Sequence, residues 1–246
     1  MALLIVPSPL GRISGRIGDV VIRNYADKTV VGIRPQSFTP GTDLASVQRR
    51  LRFKLTAMFS KCIKNIQPAY DSWGKYTNKK MSGYNLIFKN NYKAVFYDYI
   101  SNGVRIFPNI DFLIKPDSLS ITKEELNINF IPGDSNLNAN SLPESPKFLQ
   151  MAVVIFCKEP LDESDNKFNF INLVTNPVEI INNESLSFKL SFINNINLSS
   201  NETMLNDQQK QTFTRYKYHS IFVSFLALNS EKSFTQNSQT ISLLNI

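Results

Sequence analysis

Apolar and polar positions follow two different rhythms along this chain, and the change comes after Asn102. Between Asp43 and Pro68, Leu44, Val47, Leu51, Leu55, Met58, Phe59, Cys62 and Ile66 recur at three- and four-residue steps. At about 100° per residue they fall within a stripe about 120° wide, which predicts an amphipathic helix. Arg49, Arg50, Lys61 and Lys64 project from the opposite side, with Arg52 and Lys54 at the stripe's borders. Thr42-Asp43 supplies an N-cap and Pro68 a stop. Ser82 caps a second predicted helix, Gly83 to about Val95, with Tyr84, Ile87, Phe88 and Tyr92 on one side. Trp73 sits between the two in a packing corner.

Ahead of the helices, residues 1–10 have two prolines and no period, so they read as an extended arm. Gly11, Gly15 and Gly18 punctuate a turn-rich segment that leads into a strand. A phosphate-cradling glycine loop has to open a helix, so these glycines serve turns and close backbone crossing. Val20–Asn24 and Thr29–Arg34 are β-branched runs separated by Tyr25-Ala-Asp-Lys28, a hairpin pattern. Strand alternation puts Val21 and Arg23 on one face and Val20, Ile22 and Asn24 on the other, with Arg34 near Arg23. Such a ribbon needs something to pack on. Residues 35–41 link it to the long helix.

After Asn102 short alternating runs predict strands at 104–107, 112–115, 118–122, 126–131, 149–157, 168–174, 178–181, 185–193, 218–228 and 240–244. Strands at this spacing, with turn residues rather than helical patterns between them, predict an antiparallel, immunoglobulin-like β-sandwich. Met151–Cys157 and Ser220–Leu228 are apolar enough to be central strands. Segments 132–146 and 198–212 read as long polar loops.

The 246 residues and ordinary apolar content suffice for a sizeable core. No apolar run reaches the roughly 20 residues that span a bilayer. The start lacks a charged n-region, so the expectation is cytoplasmic synthesis without a signal peptide, in place or as part of a particle or exported assembly. Charge is uneven. Residues 1–95 carry sixteen Lys/Arg against four Asp/Glu, a net +12, and residues 96–246 carry eleven against sixteen, a net −5. The front is therefore expected to face something anionic, an acidic neighbouring subunit, nucleic acid or a membrane surface, or else the acidic half of this chain or of another copy. Arg12, Arg16, Arg23, Arg34, Arg49 and Arg50 are the candidate contacts.

No catalytic constellation emerges. Cys62 and Cys157, far apart in sequence, read as buried small apolar groups rather than a disulfide or metal pair. His219, the only histidine, falls in a predicted core strand, so a His/Cys zinc site is excluded and a serine triad would rest on it alone. Glu124-Glu125 and the group Asp162, Glu163 and Asp165 lie in polar turns, and the latter lacks an EF-hand spacing. No metal, no cofactor and no enzymatic activity are expected.

The segment Gly-Arg-Ile-Ser-Gly-Arg-Ile-Gly18, the Val-rich hairpin with Lys28-Thr-Val-Val31, and Arg34-Pro35 stand before Thr42 and a helix. Within that helix Gln48-Arg-Arg-Leu-Arg-Phe53 approximates a Gln, Arg and Phe pattern, followed by Asn85 and a closing Phe222-Val-Ser-Phe-Leu-Ala-Leu-Asn-Ser-Glu-Lys-Ser233. In this layout the chain resembles a family of uncharacterised Bacteroidota proteins, often present as several paralogues and sometimes phage-associated. The resemblance implies an architecture and a virion or secretion-machine setting, with no residue roles.

The expected protein is β-rich α+β: a basic arm, N-terminal β-hairpin and amphipathic helices over 1–100, then an antiparallel immunoglobulin-like β-sandwich over 101–246. Its expected function is that of a non-enzymatic structural or assembly subunit, in a phage-like particle or secretion-associated complex. Its partners would be protein subunits, its own copies or others. The alternatives are a nucleic-acid-binding protein using the same basic face and, third, a carbohydrate- or surface-binding adhesin.

Overall fold

The structure, a computed structural model, describes residues 2–4, 14–25, 28–33, 39–77, 81–131, 147–181, 184–193 and 202–243. The first strands are β1 (Ala2–Leu4), β2 (Gly15–Ile17), β3 (Val20–Tyr25) and β4 (Lys28–Ile33), joined antiparallel in the order β1-β4-β3-β2. The hairpin is therefore present, and part of the N-terminal segment returns as an edge strand beside it. Gly18 takes φ +59 in the two-residue turn between β2 and β3, where a side chain would be strained.

Three helices follow. In α1 (Leu44–Lys64) the Asp43 carboxylate accepts the Ser46 N–H at 2.9 Å, and hydrogen bonding from Ser46 holds that carboxyl below its usual range. The helix ends at Lys64, ahead of Pro68. The proline instead opens α2 (Gln67–Gly74), in whose first turn a missing N–H costs nothing. In α3 (Gly83–Asn91) Ser82 accepts the Asn85 N–H as its cap. Trp73, inside α2, is buried and donates its indole N–H to the Ile106 carbonyl at 2.8 Å.

The remaining strands are β5 (Ser118–Ile121), β6 (Glu125–Phe130), β7 (Phe148–Pro160), β8 (Phe168–Val174), β9 (Val178–Glu179), β10 (Leu186–Ser191), β11 (Glu202–Met204), β12 (Tyr216–Leu228), β13 (Phe234–Asn237) and β14 (Ile241–Leu243). Helix α4 (Asp207–Thr214) precedes β12. One sheet runs β11-β10-β6-β5; another runs β13-β12-β7-β8, with β14 beside β12 and β9 beside β7. All these pairings are antiparallel except β10 with β11.

The long β7/β12 pair is the centre of the molecule. Met151, Val153, Ile155, Ile221, Val223 and Phe225 face Leu126, Ile128, Phe130, Phe188 and Leu190 of the smaller sheet. The alternate residues Ala152, Val154, Phe156, Phe222 and Leu226 face Leu55, Phe59, Ile63, Ile66 and Trp73 of the helices. A strand covered on both faces reads as a continuous apolar run, which explains Met151–Cys157 and Ser220–Leu228. Phe59 of α1 joins the layers, its ring 5.9 Å from Phe170 and 5.8 Å from Phe222.

Two predicted strands are corrected. Residues 104–107 are not a strand; the Asn91 side chain takes both the N–H and the C=O of Arg105, and Thr240 Oγ1 takes the Ile106 N–H. Residues 112–115 make only an isolated bridge from Phe112 to Ser238, and the Gln239 amide clamps both backbone groups of Ile114. In both places side-chain amides satisfy backbone that a ladder would otherwise satisfy. The expected loop 198–212 contains β11 and most of α4, whose capping box joins Asn206 and Gln209. The expected loop 132–146, residues 5–13 and residues 34–38 lie outside the described residues.

Candidate interface

The N-terminal sheet is amphipathic. Ile17 pairs with Val20 and Val20 with Ile33, so these three form an apolar row across β2, β3 and β4, and Ile22 with Val31 forms the next. Arg16 pairs with Val21 and Arg23 with Val30, which places both arginines on the opposite face. Arg16 also donates from Nε to the Gly18 carbonyl at 2.7 Å. Ile17 is 66% exposed and Ile33 82% exposed. No described residue of this sheet belongs to either hydrophobic core. Arg12 and Arg34 lie outside the described residues, so the expected closeness of Arg23 and Arg34 does too.

The start of α1 extends past the core in the same way. Its buried residues begin at Leu55; Leu44 is 72% exposed, and Val47 and Leu51 are half-buried. The apolar stripe read from the sequence is real, but the described residues bury only its C-terminal part. Arg49 and Arg50 are exposed here. Arg49 donates to Ser46 Oγ at 3.0 Å and Arg50 to the Gly41 carbonyl at 2.7 Å, local contacts that leave their charges unneutralised. The ion pairs among the described residues join Lys189 to Glu125 and Glu202, and Arg215 to Asp165. Arg16, Arg23, Arg49 and Arg50 take part in none of them. The candidate arginines thus fall into two pairs, one on the sheet and one on α1.

A ring cluster that takes in Phe88 and Tyr92, part of the lysine-interleaved aromatics of the second predicted helix, lies between α1 and the chain after α3. Arg52 donates to the Tyr92 carbonyl at 2.6 Å and lies over the rings of Tyr92 and Phe96, at 4.3 and 5.7 Å. Ring contacts run on from it in both directions. Phe53 meets Phe88 at 4.9 Å, Phe88 stacks on Tyr92 at 5.6 Å, and Phe96 stacks on Tyr99 at 4.4 Å. The available signal was the helical wheel, where Phe53 falls outside the buried stripe and between Arg49 and Arg50.

Elsewhere the reactive side chains are engaged or shielded. Cys62 and Cys157 are free and buried; burial raises both thiols, Cys157 to about 12. His219 is buried in β12, stacked on Phe213 at 3.8 Å, with Nε2 2.9 Å from the Phe213 carbonyl. A carbonyl only accepts, so Nε2 carries the proton, and burial lowers the ring's pKa. A cavity of about 320 Å³ lies beside it, lined by Lys123, Leu161, Ile193 and Tyr216 among others. Asp162 accepts the Ser164 N–H, and the Arg215 guanidinium stands 3.7 Å from Asp165. Among the described residues no three His, Cys, Asp or Glu side chains gather as a metal site, and no helix is long and apolar enough to cross a membrane.

No protein-family model matches the chain, and no curated protein matches it. Among solved structures it is similar to a β-glucosidase from Kluyveromyces marxianus, at TM-score 0.20 and 9% identity, over 56% of this chain and 16% of that one. A likeness at that level carries no argument about fold or activity.

Proposed function

We propose that this chain is a structural or assembly subunit that docks through its N-terminal sheet. One observation carries the reading: among the described residues, no layer of the hydrophobic core lies over the apolar face of Ile17, Val20, Ile22, Val31 and Ile33. A sheet of short strands with one bare apolar face gains its stability from a partner layer. The uncovered start of α1, with Leu44 exposed, supports the same reading. The charge division, +12 in front and −5 behind, favours a partner with an acidic surface, whether another copy or another protein. The immunoglobulin-like assignment belongs to this proposal as well, supported by antiparallel β5, β6 and β10 facing β7, β8 and β12.

Light scattering over a range of concentrations tests it, comparing wild type with Ile33→Asp. The expected result is a discrete oligomer that the substitution dissociates while the melting of the main core is unchanged. Equal masses for the two proteins at every concentration would remove self-assembly through this face. A second reading, nucleic-acid binding, is favoured by the rings around Arg52.

A further inference from the structure

The rings flanking Arg52 form two short runs joined by its guanidinium: Phe53 tilted on Phe88, which stacks on Tyr92, on one side, and Phe96 stacked on Tyr99 on the other. The inner rings use their faces on one another and on Arg52. The two end rings each have one neighbour, and they are the most exposed of the five, Phe53 at 59% and Tyr99 at 45%. A fully packed aromatic core would not leave its end rings in water.

The charged side chains that α1 and α3 carry are all basic. Arg49, Arg50 and Lys54 on α1, and Lys89 and Lys93 on and just after α3, are exposed and take part in none of the ion pairs. The acid within the run, Asp98, lies in the turn that joins Phe96 to Tyr99, and its Oδ1 is buried without a hydrogen-bond partner.

We infer that this surface binds a single-stranded polynucleotide. Bases stack on the exposed rings of Phe53 and Tyr99, and phosphates meet the surrounding cations. Stacking on aromatic side chains in a cationic groove is the general chemistry of single-strand binding. An acidic peptide would use the cations but leave both end rings unused. A duplex keeps its bases stacked inside. The site uses α1, α3 and the turn after it, and is independent of docking through the N-terminal sheet.

Fluorescence anisotropy with labelled oligothymidylate and oligouridylate of about twenty nucleotides, longer than most single-strand sites, tests the inference. Binding at low salt is expected with at least one strand, with log affinity falling by about 0.7 per neutralised phosphate per log unit of salt. Tyr99→Ala and Phe53→Ala should each weaken binding roughly tenfold, the loss of one stacked base. Phe53→Trp should keep or tighten it, which separates stacking from any damage Phe53→Ala does to the helix pair. Lys89→Gln with Lys93→Gln should flatten the salt dependence. The inference is overturned if neither strand binds at low salt. It is equally overturned if folded Tyr99→Ala and Phe53→Ala bind like wild type, or if oligoglutamate binds and the oligonucleotides do not.

Discussion

Arg52 holds Tyr92 at two points: its Nη2 donates to the Tyr92 carbonyl at 2.6 Å, and its guanidinium carbon lies 4.3 Å from the centre of the Tyr92 ring. Nε donates to the same carbonyl at 3.2 Å, so the planar fork ties the middle of α1 to the end of α3. A lysine has no such fork. Arg52→Lys and Arg52→Ala should both lower stability, the alanine by about 2 kcal/mol from lost charged hydrogen bonds and ring contact. Arg49→Ala and Arg50→Ala should leave thermal melting nearly unchanged. Denaturation of the four variants side by side checks the contrast, and equal effects would refute it.

Phe59 is the contact that binds the helices to the central sheet, through Phe170 and Phe222. Phe59→Ala should cost about 3–5 kcal/mol, as a large cavity between layers does. Urea unfolding measures it. A loss below about 1 kcal/mol would mean that the helical layer is held on by something else.

Both thiols should resist modification in the folded protein. Burial raises Cys62 and Cys157 so far that almost no thiolate exists near neutral pH. Iodoacetamide should label neither native cysteine on the timescale that labels both in denaturant, as read by mass spectrometry. Rapid native labelling of Cys62 would show that α1 lifts from β8.

His219 makes the fold sensitive to mild acid. Its folded pKa lies below the ordinary 6.5 because burial disfavours the imidazolium, so in this window the unfolded chain binds the proton first. Stability is then full above about pH 6.5 and falls as pH drops from there toward the folded pKa. His219→Gln should remove that part of the acid slope, whatever it does to stability at pH 7. Melting curves of both proteins across this range decide it, and identical slopes would refute the assignment.

The local elements were legible because their signals are local. The α1 period, the Asp43 and Ser82 caps and the β3/β4 hairpin each depend on residues a few positions apart. Asn206-x-x-Gln209 was equally local, a capping box that reads plainly once α4 is known. Residues 104–107 and 112–115 carried the apolar pattern of strands, but their backbone partners are Asn91, Thr240 and Gln239. Asn91 is 14 residues from Arg105, across the end of α3, while Thr240 and Gln239 lie 134 and 125 residues from their partners, beyond any local window.

Sequence by itself determined the periodicities, the β-rich class and the uneven charge, because each follows from residue type and spacing. Tertiary structure alone decided which apolar positions are covered. Met151–Cys157 and Ser220–Leu228 lie between two layers, whereas Leu44, Ile17 and Ile33 lie in water although the pattern marks them all as apolar. Burial belongs to a pair of surfaces, and a sequence pattern describes one surface at a time. The same limit hid the end rings: Phe53 and Tyr99 are ordinary aromatics in the chain, and only packing around Arg52 leaves them exposed at the ends of two ring runs.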